Sequence, residues 1–400
     1  MKNLLLLCVL LLVSCKSDKD QYWSAVFNNS SQQFQNILEE KDKYELQILF
    51  AKIDSNQQGL FQNTKGFNVN SDHYFYPASA VKMPVAFLAL EKINELQESG
   101  IAINKFTTLR IDSNRMAQSP VISDSTSINQ NAFIAHYINK LFAVSDNDAY
   151  NRLFEFLGRD YINEKLKQKK SFTNSRIVTR VGVSGFDYKE NGYTNSFSFI
   201  EGDSIIYRQE EQISNQEFLL PLENCIKGKG YYDDSADSVI MKPFDMSKKN
   251  FINLSDMQTS MIRLFYPKLF DEEERFKLSN EDLKFLKTAM SKLPKEYDYP
   301  TYDSLEYYDS YVKFFMFGDS KDPIPEHIKI YNKVGYAYGT LTDCAYIVDK
   351  QNGLEFFLAA TLLVNENQIF NDGAYEYDSI GIPFLAELGR LIYQYELENK

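Results

Sequence analysis

The first candidate for chemistry is Ser79-Ala80-Val81-Lys82. Residues three apart on a helix share a face, so Lys82 lies one turn beyond Ser79. A serine hydroxyl is a weak nucleophile at neutral pH and needs an adjacent base. A lysine amine can be that base only when neutral, a state favoured by burial and by a second cation nearby. The spacing alone is common, and Ser310-Tyr311-Val312-Lys313 repeats it. Setting separates the two copies. Tyr76-Pro77-Ala78 leads into Ser79, and Met83-Pro84-Val85-Ala86 continues an apolar helix that would bury Lys82. The second copy lies among Tyr, Phe and Asp and reads as a pair on a helix surface.

Two further short patterns follow. Ser145-Asp146-Asn147 opens a helix after Phe142-Ala143-Val144, and all three residue types favour a helix cap. Lys333-Val334-Gly335 lies in a strand pattern and is the only Lys-x-Gly in the chain. Each has a plain structural reading, a cap and an edge-strand lysine. Taken in order, on helix start, helix start and strand, they resemble the S-x-x-K, S-D-N and K-T-G motifs of class A β-lactamases and penicillin-binding proteins. Tyr76-Pro77-Ala78-Ser79-Ala80-Val81-Lys82-Met83-Pro84 is similar to the nucleophile segment of those serine enzymes, and the resemblance runs from about Tyr22 to Lys400.

The resemblance implies roles. Ser79 would attack a lactam or D-Ala-D-Ala amide and become acylated, and Lys82 would accept its proton. Ser145 would relay a proton to the leaving nitrogen, and Asn147 would hold the substrate amide and the Lys82 side chain. Lys333 would supply positive charge for a substrate carboxylate, with Gly335 and Tyr336 beside it on the strand. The N–H groups of Ser79 and Tyr336 would form an oxyanion hole. No cofactor and no metal is implied.

The sequence departs from the family pattern twice. Val334 stands where a Thr or Ser hydroxyl would bond the substrate carboxylate, a loss of about 1.5–3 kcal/mol for a hydrogen bond to a charged group. The Glu-x-x-Leu-Asn setting of the class A deacylating base is missing between Arg176 and Asn195. Glu190, followed by Asn195, is the nearest approximation to that base, and a surface turn around Asn191-Gly192 is the competing reading.

The elements that must position these groups can be read from periodicity. Tyr22 to Lys43 has helical spacing, Tyr44 to Asp54 alternates as a strand, and a second strand precedes Tyr76. Helices follow at Ser79–Leu96 and Ser145–Leu157, the latter stopped by Gly158. Ser255 with Gln258, and Ser279 with Asp282, read as capping boxes. Asp303 to Phe317 is a further helix candidate. Tyr331–Tyr338, Asp343–Asp349 and Leu354–Val364 form an antiparallel meander, and Ile382–Leu397 closes the chain as a helix. Strands at both ends imply an α+β fold, an α/β/α sandwich whose antiparallel sheet comes from both termini. A mainly helical lobe with insertions fills roughly residues 97–325, the stretches near 196–250 and 294–325 being least patterned.

Composition narrows the classes. The balance of 44% hydrophobic and 24% charged residues is that of a folded protein. Tyr (27) and Phe (30) are abundant, which suits cores, clefts and surfaces alike and identifies no ligand. A net charge of −12 without a basic stripe disfavours nucleic acid. His73, His136 and His327 have no Cys or His at metal-ligand spacing. Asp271-Glu272-Glu273-Glu274 lacks the pattern of a calcium loop.

At the N-terminus, Lys2 precedes an apolar run from Leu4 to Val13, too short to span a bilayer. It reads as a signal peptide over residues 1–14. Leu12-Val13-Ser14-Cys15 resembles a bacterial lipobox, which implies cleavage before Cys15 and acylation of its thiol. Residues 15–21 would then tether a hydrolase domain, residues 22–400, to a membrane of the bacterial envelope, facing periplasm or cell surface. Cys225 and Cys344 remain as a possible disulfide or two free thiols. The expected partners are a β-lactam or a peptidoglycan stem peptide, and the expected state is a monomer. Three functions compete: β-lactamase, D-Ala-D-Ala carboxypeptidase or transpeptidase, and a non-catalytic envelope binding protein. A Ser-His-Asp hydrolase is disfavoured, since Gly182-Val183-Ser184-Gly185-Phe186 breaks the Gly-x-Ser-x-Gly spacing.

Overall fold

The computed structural model describes residues 18–56, 59–170, 172 and 174–400. Its architecture follows from strands with no polar face. In β1 (Gln47–Asn56) Ile48 and Phe50 enter one core, while Leu49 and Ala51 enter another. Burial on both faces gives a near-continuous apolar run in place of a clean alternation. β1 pairs with β2 (Gly59–Phe67). The late meander of β3 (Ile328–Ala337), β4 (Thr340–Asp349) and β5 (Leu354–Leu363) joins through β5. The antiparallel sheet has the order β3-β4-β5-β1-β2 and so is built from both ends of the chain, as expected.

One face of the sheet is covered by α1 (Asp18–Val26) and α2 (Gln32–Glu39) with the last helix of the chain, where Phe34 stacks on Phe384 at 4.4 Å. The other face carries α3 (Lys82–Glu98), α4 (Ile134–Ala143), α5 (Asn147–Leu157) and α6 (Arg159–Gln168). α7 (Leu254–Phe265) and α8 (Asn280–Ser291) complete that layer, and α9 (Ile382–Glu398) is the closing helix. α3 is buried almost all round from Lys82 to Glu91, the state of an apolar helix at the centre of a domain. A third cluster joins Tyr74, Phe75, Tyr76 and Ala78 to Met246, Phe251 and Phe370. The insertion near 196–250 is tied to the segment after β5 by Ile369–Phe370, which pairs in parallel with Gly230–Asp233.

Several local expectations shift. The helical stretch from Tyr22 breaks into two helices at Phe27–Asn29. The cap of α7 is Asn253, whose side chain accepts from the Asp256 N–H, and not Ser255. The Ser279–Asp282 capping box forms as read. Asp303–Phe317 is turns and not a helix. The N–H groups of Phe314 and Phe315 donate to the Asp343 carboxylate, at 3.1 and 3.3 Å, so they are withdrawn from any i−4 ladder. Cys225 and Cys344 are both free thiols. The signal segment and Cys15 lie outside the described residues. Among the described residues no helix is long and apolar enough to cross a membrane.

Candidate active site

Ser79 sits in a short 3₁₀ turn, Ala78–Val81, that runs directly into α3. Ala78 has φ +46°, rare for a residue with a Cβ and a form of backbone strain common at functional sites. The turn is held from two sides. Buried Tyr74, Phe75 and Tyr76 anchor its approach, and β3 presses against its backbone at Gly335. A Cβ on Gly335 would fall 2.7 Å from the Ala80 nitrogen and 2.8 Å from the Ser79 nitrogen, and closer still to the Pro77 carbonyl. The Gly of Lys-x-Gly is therefore demanded by close approach of the third motif to the first.

One turn on, Lys82 is fully buried. Its amine donates to the Ser145 carbonyl (2.5 Å), Asn147 Oδ1 (2.7 Å) and the Asp146 carbonyl (3.2 Å), and reaches Ser145 Oγ at 3.5 Å. Burial pushes this amine down to about 7, against the opposing pull of Asp146. The acceptors are placed by the α4–α5 junction, where Ser145 takes φ +60°. Asp146, not Ser145, caps α5 by accepting from the Ala149 N–H at 2.8 Å. Ser145 is thereby released from capping. Gly182 (φ +58°) lies so close to Asn147 that a Cβ there would overlap the Asn147 amide.

Lys333 arrives from β3, also buried. Its amine donates to Ser145 Oγ at 2.8 Å and to the Val334 carbonyl at 2.7 Å. Ser145 Oγ is thus shared between two lysines, leaving its own proton free to be donated elsewhere. Burial, then repulsion from Lys82, hold Lys333 well below the ordinary lysine range, with Asp343 opposing. Behind it lies a network that the motifs did not reveal. Asn332 donates to Asp343 Oδ1 at 2.8 Å and accepts from Lys313 at 2.7 Å. Asp343 is fully buried, and burial raises its carboxyl to about 6. Lys313 belongs to the second Ser-x-x-Lys, and both Ser310 and Lys313 are buried, not a surface pair.

A cleft of about 660 Å³ opens over Ser79. Ser79, Ser145, Asn147, Val334 and Tyr336 line it, so the three motifs meet at one opening. Lys82 and Lys333 reach it through Ser145 and Asn147. Glu190 is not brought there. It forms a two-pronged ion pair with Arg115, at 2.7 and 3.0 Å, and that hydrogen bonding holds its carboxylate below the ordinary range. The turn Glu190–Gly192 has a buried Asn191 that accepts from the Arg180 N–H at 2.7 Å and braces the loop ending at Gly182. Four tyrosines of the cleft were missed: Tyr311, Tyr338, Tyr375 and Tyr377 line it beside Tyr76 of the nucleophile segment and Tyr336, expected there for its N–H. The i, i+2 pairs Tyr336/Tyr338 and Tyr375/Tyr377 were a usable signal, hidden in a tyrosine-rich composition.

An antiparallel sheet between helical layers, with Ser-x-x-Lys at its central helix, defines the architecture of the penicillin-recognising proteins. The chain belongs to the β-lactamase enzyme family, whose model matches residues 29–242, more than half of its length. That span includes Ser79, Lys82, Ser145 and Asn147 and stops short of Lys333, whose place in the site comes from the tertiary structure. Among solved structures, a variant of the reconstructed last common ancestor of Gram-negative class A β-lactamases is 14% identical. The match covers 92% of this chain and 100% of that one, with a TM-score of 0.50, and it supports the shared fold. The chromosome-encoded β-lactamase of Vibrio parahaemolyticus (14% identity, 91% and 98% covered, TM-score 0.48) is also similar. So is PBP-A (14%, 92% and 97%, 0.48). No curated protein matches the sequence.

Proposed function

We propose that the protein is a serine hydrolase that forms an acyl-enzyme on Ser79. The observation that carries this reading is the sharing of Ser145 Oγ by Lys82 and Lys333 at the mouth of a cleft that Ser79 lines. Lys82, with its amine near 7, exchanges one of its oxygen partners for the Ser79 hydroxyl and takes its proton. The Ser79 Oγ–carbonyl bond forms and the amide or lactam C–N bond breaks. The proton passes back through Ser145 to the leaving nitrogen. Water then cleaves the ester and regenerates Ser79.

A specific observation favours a penicillin-binding, slowly deacylating enzyme over a fast β-lactamase. No Asp or Glu is among the described residues lining the cleft, so no carboxylate is poised there to activate water. Intact-mass measurement after brief exposure to a penicillin, and in parallel to its methyl ester, tests both points. A persistent adduct of one ligand mass, absent in Ser79→Ala, is expected. Rapid consumption without an adduct would identify a turning-over β-lactamase. An unchanged protein with both compounds intact would overturn the reading. The enzyme is further proposed to be held at the envelope through an acylated Cys15. Cys15→Ser should then abolish metabolic labelling with palmitate.

A further inference from the structure

The cleft over Ser79 has an unusual charge inventory. Among its described lining residues there is no Lys, Arg or His, and no Asp or Glu. The two nearby cations are turned away. Lys333 is buried and committed to Ser145 Oγ and the Val334 carbonyl, and Lys82 is buried among Ser145, Asp146 and Asn147. Lys249 approaches the rim, but its amine stacks on the Tyr338 and Phe244 rings, about 5.1 Å from each centroid. Val334 supplies no hydroxyl. Two carboxylates also lie just behind the lining: Asp234 accepts from Asn371 at 3.1 Å, and Asp146 caps α5 beside Ser145.

What the cleft offers instead is amphipathic. Tyr76 meets Tyr338 edge-on at 4.9 Å, Tyr336 meets Tyr377 at 5.3 Å, and Tyr375 lies 5.2 Å from Tyr377. Burial raises the hydroxyls of Tyr76, Tyr375 and Tyr377 above the ordinary range, which keeps them neutral. Neutral aromatic walls with hydroxyl donors suit uncharged, carbonyl- or hydroxyl-bearing groups. A carboxylate entering the same space loses hydration and finds no counter-charge among the described lining side chains, the nearest amines, Lys82 and Lys333, lying behind Asn147 and Ser145. The net charge of −12 adds a long-range penalty.

We propose that the Ser79 cleft selects acyl donors whose leaving side carries no free carboxylate: amides or esters with a blocked or internal carboxyl end and neutral, preferably aromatic or hydroxylated, flanks. The proposal rests on Ser79 being the nucleophile. It separates this chain from enzymes that grip a terminal carboxylate through the third motif.

The test compares matched pairs differing only in that charge: a penicillin and its methyl ester, and an N-acyl-D-Ala-D-Ala and its C-terminal amide. Acylation of the full chain is read by intact mass or release of the leaving group, each β-lactam rate being divided by its rate of alkaline hydrolysis. The neutral member should react at least about tenfold faster, since an unpaired charge is a strong discriminator in a water-poor site. Ala337→Arg, which adds a cation at the cleft wall, should reverse or erase that preference. Faster acylation by the free acids in the native chain would overturn the inference while leaving the nucleophile assignment intact. Failure of every compound to modify or be consumed by the protein would remove both.

Discussion

Lys82 and Lys313 each follow a serine by three residues, each is sealed from solvent, and each is pushed down to about 7 by burial. Lys92 is depressed to about 7 as well, over a hydrogen bond to the Phe156 carbonyl. A depressed amine is therefore no marker of a site in this molecule. Surroundings make the difference. Ser79 opens on a cleft, and the groups bonded to Lys82 line the same cleft. Ser310 donates to the Ser320 carbonyl at 2.5 Å, and Lys313 donates to the Met290 carbonyl and Asn332 at 2.7 Å. The second pair is a closed structural knot behind Lys333. The first is a similar knot with one side left open, and that opening converts a packing device into candidate chemistry.

The comparison can be broken most directly at the two serines. Ser79→Ala should lower the acylation rate by at least about a thousandfold, as loss of a nucleophile does. Ser310→Ala should leave that rate within about twofold per folded molecule, because it loses only a remote hydrogen bond. Equal losses in both variants, measured by stopped-flow or intact mass, would dissolve the distinction.

The lysines sharpen it by trading activity against stability. Lys313→Met should lower unfolding free energy by about 3 kcal/mol, since it strips partners from a buried network, yet leave acylation largely intact. Lys82→Met should abolish acylation but cost less than about 1 kcal/mol, because water in the cleft can reach the freed Ser145 and Asn147 oxygens. Urea melts set beside acylation rates check both.

The pH response follows from the same shift. Lys82 accepts a proton only when neutral, so acylation should fall by about tenfold per unit below a pKa near 7 and level off above it. Stability should run in the same direction for a different reason. A lysine at about 7 when folded and in its ordinary range when unfolded binds fewer protons in the native state between those values. Unfolding free energy then rises with pH across that window. Lys313→Met should flatten the rise.

The smallest effect is expected at Glu190. Its carboxylate is paired with Arg115 away from the cleft lining, so Glu190→Gln should change deacylation by less than about twofold, within the range of a surface substitution. A large slowing would return it to the list of catalytic bases.

Much of this was legible in the chain itself. The late meander, the strand before Tyr76, the buried helix after Ser79 and the Ser279–Asp282 cap all follow from local periodicity and capping chemistry, which short stretches encode. The apolar run Met83 to Ala89 likewise announces the helix buried on every side behind Ser79, whereas the Tyr- and Asp-rich surroundings of Ser310 hid the burial of Lys313. The end of the 303–317 stretch was misread because the N–H groups of Phe314 and Phe315 are claimed by Asp343, a residue on a strand some thirty positions away. No local pattern records such a partner.

The order and identity of the three motifs were thus fixed by covalent neighbours, through helix phase and strand alternation. That Ser145 Oγ bridges two lysines, that Gly335 must lack a Cβ to touch the Ser79 turn, and that six tyrosines replace charges around the opening were decided by packing. Each depends on distances between segments far apart in the chain. Short-range sterics set which residues lie on one face of a helix or strand, whereas only the assembled sheet and its helical layers set which faces meet and which stays open to solvent.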